Sequence, residues 1–117
     1  RNIINYLFIY CMKLFNLVIK ESSYIKYRLP SISSDIYLIR WHRNSRTKIH
    51  NHNGQDCHFI ILNGNLSEYI YKNENINSLK KYEELKPFKL NFINDMIGYH
   101  QIMNDNDKFI WSLHRYH

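Results

Sequence analysis

Apolar and polar positions alternate along most of the chain from residue 35 onward, and the alternation is that of short strands separated by turns. Asp35-Ile36-Tyr37-Leu38-Ile39-Arg40-Trp41 is rich in branched and aromatic residues and reads as a strand. Asn44-Ser45-Arg46 reads as a turn, and Thr47-Lys48-Ile49-His50-Asn51-His52 alternates again before a second turn at Asn53-Gly54-Gln55-Asp56. Cys57-His58-Phe59-Ile60-Ile61-Leu62 is a strand, Asn63-Gly64-Asn65 is the strongest hairpin signal in the chain, and Leu66-Ser67-Glu68-Tyr69-Ile70-Tyr71 follows it. Residues 72–86 are polar and rich in Lys, Glu and Asn, which predicts a surface connection or short helix. Strand alternation resumes at Phe88–Ile93. A turn over Asn94–Gly98 leads into Tyr99–Met103, Asn104–Asp107 turns again, and Phe109–Tyr116 closes the chain as a strand.

Short strands with turns every eight to twelve residues predict a mainly β fold, a sandwich or small antiparallel barrel. Residues 1–30 differ. They are apolar with little period and predict an N-terminal segment that contains a helix and packs on a barrel formed by residues 35–116. The 117 residues make one domain, with no internal repeat. The first residue is Arg1, which reads as a fragment of a longer chain.

Composition narrows the function classes. Eighteen aromatic residues can fill one core, and three Gly with two Pro exclude collagen-like and linker-like chains. Sixteen basic against ten acidic residues give a net charge of +6. The densest basic group, Arg40, Arg43, Arg46 and Lys48, is interrupted by other residue types and comes with no zinc pattern or basic helix, so no nucleic-acid partner is expected. Asn5, Lys13 and Asn16 break the apolar start, and a span needs about 20 apolar residues, so no membrane partner is expected either. Two cysteines, Cys11 and Cys57, are too few for a secreted disulfide framework; one bridge is permitted but not demanded, and a reducing cytoplasm is the simpler setting.

Seven histidines are many for this length. His50 and His52 are two apart, so on a strand they share one face and two imidazoles could bind a single metal ion. Such a pair needs a third ligand from a distant strand, and His100 can supply it. His42, His58 and His117 have no assigned role.

The H-x-H pair, then Cys57, then Gly64 resembles the first motif of the cupin family, and Gly98, His100 and Asn104 resemble the second. Two positions depart from the common pattern: Asn44 stands where the first motif usually begins with Gly, and Cys57 where most metal cupins have a glutamate ligand. Cysteine at that position is similar to cysteine dioxygenase. Asn94-Asp95-Met96-Ile97-Gly98-Tyr99-His100 is similar to that family's N-D-x-I-G-x-H segment, Ser112-Leu113-His114-Arg115-Tyr116 to its S-L-H-x-Y segment, and Trp41 to its tryptophan. The resemblance covers residues 35–116.

The resemblance implies a double-stranded β-helix that holds Fe(II) on His50, His52 and His100 and oxidises cysteine with O₂ to cysteine sulfinic acid. It implies catalytic roles for Cys57 and Tyr116, joined by a thioether, and for Ser112 and His114 behind the tyrosine. Three neutral imidazoles leave the metal charge uncompensated, so the substrate brings the anion as its own thiolate. A free amino acid also needs a cationic clamp for its carboxylate. The family uses an Arg upstream of the H-x-H strand, and Arg28 is the candidate. The family's accompanying Tyr lies two residues before that Arg, where Lys26 stands here, so Tyr27 or Tyr24 takes its place; Arg40 and Arg43 are the fallback cations. The expected protein is a monomer in the cytoplasm whose partners are a small thiol and O₂. The alternatives are a dioxygenase for 3-mercaptopropionate or cysteamine, a non-catalytic metal-binding cupin, and a zinc hydrolase or hydratase on the same three histidines.

Overall fold

A computed structural model describes residues 18–30 and 35–117. Ten strands follow in chain order: β1 (Val18–Lys20), β2 (Tyr24–Leu29), β3 (Asp35–Trp41), β4 (Ser45–Arg46), β5 (Cys57–Ile61), β6 (Leu66–Tyr71), β7 (Leu79–Leu85), β8 (Asn91–Ile93), β9 (Tyr99–Asn104) and β10 (Ile110–Tyr116). They form two antiparallel sheets. One has six strands in the order β1-β2-β3-β10-β5-β8, and the other has four in the order β4-β9-β6-β7. Among the described residues the sheets stay separate, so the expected barrel is an open two-sheet sandwich.

The core lies between the sheets because alternation sends every second side chain inward. Ile39, Trp41, Phe59, Ile61 and Ile110 from the larger sheet meet Leu66, Ile70, Leu85 and Ile102 from the smaller one. The opposite face of the larger sheet carries its own cluster, with Tyr27, Leu38 and Trp111 at its centre.

The N-terminal helix is corrected where it can be seen. Residues 18–20 and 24–29 are strands, and the rest of that expectation, residues 1–17, lies outside the described residues. Tyr24-Ile25-Lys26-Tyr27-Arg28-Leu29 alternates between faces and pairs with β3 along its length, Lys26 opposite Ile39 and Arg28 opposite Tyr37. That ladder outweighs any helical preference of so short a run. Cys11 also lies outside the described residues.

Three local expectations change as well. The polar stretch 72–86 contains β7, an edge strand beside β6 that is largely exposed and so carries little apolar pattern. Ser45–Arg46 pairs with Asn104 and Met103, whereas residues 47–52 run as extended loop with one bridge, His50 to His100. Asn63-Gly64 closes no hairpin, because β5 and β6 belong to different sheets. Asn63 instead accepts the Trp111 backbone N–H at 2.7 Å and donates to the Phe109 carbonyl, turning the chain across to the second sheet. Among the described residues, no helix is long and apolar enough to cross a membrane.

Candidate metal centre

His100 sits on β9, opposite Ile70 of β6, and its bridge to His50 brings the 47–52 segment onto the same sheet edge. His50, His52 and His100 each present one nitrogen, and these atoms lie within 4.8 Å of one another. The ring centres are 4.5 Å apart for His50 and His100, and 4.6 Å for His52 and His100.

The surroundings fix the ring orientations. His50 Nδ1 lies 2.8 Å from the Lys48 carbonyl, which can only accept, so Nδ1 carries the hydrogen and Nε2 is left with a lone pair. His100 Nδ1 lies 2.9 Å from Glu68 Oε2, both groups buried, and an ionised Glu68 fixes the same tautomer. The two Nε2 atoms then face each other across 3.0 Å. With Glu68 ionised both Nε2 atoms carry lone pairs, which a shared cation satisfies; with Glu68 protonated one Nε2–H donates to the other. His52 adds a buried Nδ1 with no hydrogen-bond partner. Burial holds His50 and His100 below the ordinary imidazole value and pushes His52 down to about 3, with the neighbouring histidines adding to the effect at His52 and His100. Three neutral imidazole donors at one point suit a divalent first-row metal, and the residues present fit that group.

Two carboxylates hold the histidines in place: Glu68, which lies outside every motif, and Asp95, which lies within the N-D-x-I-G-x-H segment without a role assigned to it there. Glu68 faces inward from an otherwise apolar face of β6, and burial raises it to about 7. A charged residue at an inward position of an apolar strand is the signal that could have marked it. Asp95 accepts the backbone N–H of His52 at 2.9 Å and of Gly54 at 2.7 Å, which secures the loop carrying His52. These two bonds hold its carboxyl below the usual range.

The three-histidine cluster opens into a cavity of about 270 Å³. Cys57 begins β5, is buried, and pairs across the ladder with Tyr116 of β10. The Tyr116 and Cys57 side chains both line the cavity, and each shifts the titration of the other. His114 Nδ1 approaches the same sulfur at 3.7 Å. Behind it stands a chain of buried groups. Trp41 Nε1 donates to Ser112 Oγ at 2.7 Å, and Ser112 Oγ hydrogen-bonds to His114 Nε2 at 2.7 Å, which turns His114 Nδ1 toward the sulfur. Burial pushes the Cys57 thiol up to about 12 despite the opposing influence of Lys26 and Tyr116. Tyr116 is raised and His114 lowered, both chiefly by burial.

The candidate clamp residues are not brought to the cavity. Tyr27 points to the outer face of its sheet and stacks on Trp111 at 6.4 Å. Arg28 shares the face of Lys26 but lies one step further out, 46% exposed, with Nη2 2.9 Å from Asp35. Tyr24 and Lys26 line the cavity instead. Asn104 is no ligand. It is buried and its amide donates to the His42 and Lys108 carbonyls, stapling the β3–β4 and β9–β10 turns.

The architecture is that of a cupin. The chain is similar to a cupin-2 domain protein, Rru_A2000 from Rhodospirillum rubrum, with 16% identity and a TM-score of 0.64 over 86% of this chain and 66% of that one. It is similar to plu4264 from Photorhabdus luminescens, with 16% identity and a TM-score of 0.65 over 86% and 80%. AerE from Microcystis aeruginosa gives 13% identity and a TM-score of 0.68 over 86% and 44%. The chain thus spans less than two thirds of the first and less than half of the last, and at such identities these likenesses speak to fold alone. No curated protein sequence matches. The family description "Cysteine dioxygenase type I" matches residues 19–117, and the chain belongs to that family.

Proposed function

We propose that the chain is an iron-dependent thiol dioxygenase that converts a small thiol, cysteine foremost, to its sulfinic acid. The observation that carries this reading is the convergence of His50, His52 and His100, with no carboxylate in the ligand set, beside the paired Cys57 and Tyr116. Membership of the family supports it. The reaction is R–SH + O₂ → R–SO₂H: both oxygen atoms enter the product, and sulfur is oxidised to the sulfinic level while O₂ is reduced.

Fe(II) held on the three imidazoles would supply the acidity that keeps the substrate thiol ionised and the redox partner for O₂. The protein's own groups do the rest. Glu68 and the Lys48 carbonyl keep His100 and His50 turned toward one point. Ile39, Trp41, Phe59 and Ile102 line the cavity with apolar surface and limit water around the reacting sulfur. The Tyr116 hydroxyl, held by its contacts with Cys57 and Lys26, is the donor placed to stabilise charge that develops on oxygen. A thioether between Cys57 sulfur and the Tyr116 ring would fix that donor covalently, with two hydrogens removed by O₂ in the iron-loaded protein. The Trp41–Ser112–His114 chain holds the sulfur in place for it. We place the protein in the cytoplasm as a monomeric single cupin domain.

Anaerobic reconstitution with Fe(II), followed by O₂ uptake with cysteine, cysteamine and 3-mercaptopropionate, tests the reading. One O₂ consumed per thiol, with ¹⁸O at both oxygens of a sulfinate product, is expected. Absence of thiol-dependent uptake in protein that has bound iron would overturn it.

A further inference from the structure

Among the described residues, Lys26 is the one Lys or Arg that lines the cavity. Its Nζ donates to the Tyr116 hydroxyl at 3.2 Å and lies 4.5 Å from the ring centres of both Tyr37 and Tyr116, which meet edge to face. No carboxylate among the described residues forms an ion pair with it. An ammonium has three N–H donors, and the phenol oxygen takes one. The remaining donors belong to a half-buried cation without a counter-ion, beside a metal centre whose ligands are all neutral. Glu68 stands behind His100 and away from Lys26, so the charge of the ammonium itself is left for an entering anion to balance.

Resting on the thiol dioxygenase reading, which it extends to the class of substrate, we infer that the site selects small thiols bearing an anionic head group, and that Lys26 reads the charge of that group and not its shape. A guanidinium fork matches the plane of a carboxylate, whereas an ammonium is a compact charge with rotating donors. A tetrahedral sulfonate therefore satisfies Lys26 as well as a planar carboxylate does. Arg28 cannot take the role, being committed to Asp35 at the rim.

The test is calorimetric titration of the anaerobic Fe(II) protein with cysteine, 3-mercaptopropionate, 2-mercaptoethanesulfonate and cysteamine, alongside O₂ uptake. The three anionic thiols should bind within about tenfold of one another, and each at least about tenfold tighter than cysteamine. Lys26→Met should weaken the anionic thiols by roughly 10- to 100-fold, the loss expected for a hydrogen bond to a charged group, and move cysteamine by no more than about threefold. Lys26→Gln guards against a folding defect in Lys26→Met, Lys26→Arg should keep the preference for acids over cysteamine, and Arg28→Met should change nothing. Sulfonate binding as weak as cysteamine, or unchanged affinities in both neutral Lys26 variants, would overturn the inference. The titrations need no turnover, so if no thiol is oxidised the dioxygenase reading fails while the affinity series still decides the role of Lys26.

Discussion

Glu68 Oε2 lies 2.9 Å from His100 Nδ1, and this buried contact decides which nitrogen of His100 faces its two partner imidazoles. Glu68→Gln keeps an acceptor of similar shape but removes the charge that raises the basicity of the ring. Metal affinity, measured by competition with a chromophoric chelator, should fall about 10-fold, and Glu68→Leu should lose about 100-fold. An unchanged affinity in both variants would remove Glu68 from the site.

In protein that has never met iron and O₂, Cys57 should behave as a buried, protonated thiol. Burial pushes it up to about 12 from 9.0, so iodoacetamide at neutral pH should label it only as fast as the fold opens. The folded value is raised, so its contribution to stability is complete below about 9 and is lost as pH rises toward 12. Cys57→Ser should flatten that part of the alkaline unfolding curve.

After aerobic turnover with iron, peptide mapping should find the segments carrying Cys57 and Tyr116 joined, with a loss of two hydrogens. Ser112→Ala should slow the joining, because it leaves Trp41 Nε1 and His114 Nε2 without their partner and frees the His114 ring. The same variant should cost about 1–3 kcal/mol of stability in urea. Full activity in Cys57→Ser together with a persistent free thiol in the parent protein would remove the cross-link from the mechanism.

Gly98→Ala should destabilise the fold by about 2–4 kcal/mol. Gly98 has φ +141°, and a Cβ there would stand 2.5 Å from the Tyr71 carbonyl oxygen. Because the same turn delivers His100, metal affinity and melting temperature should fall together.

The clustering of His50, His52 and His100 was legible because H-x-H with a distant histidine is a demand of coordination, written directly in residue types and spacing. The strands that fill the core were legible because β5 alternates between buried and half-buried positions and β3 is rich in branched and aromatic residues. The cation of the cavity was not. Lys26 and Arg28 have the same parity on one strand, and only the pairing of Lys26 with Ile39 and the pull of Asp35 on Arg28 separate them. Asn63-Gly64 was misleading for a related reason: the local geometry of a turn does not say which sheet the next strand joins. Glu68 and Asp95 act through contacts made across 32 and 43 residues of chain, which no window of sequence displays.

Among the described residues β7 ends the four-stranded sheet with one side of its backbone unpaired, and Lys80, Lys81, Glu83 and Glu84 stand along it. An open strand edge is a template on which a second molecule can add, and closely spaced charges make that addition costly. The run of Lys and Glu that conceals this strand from a reader of the sequence conceals it equally from other copies of the chain. Replacing those four residues by Thr or Val would expose the sheet to end-on growth and turn a discrete molecule into the start of an aggregate.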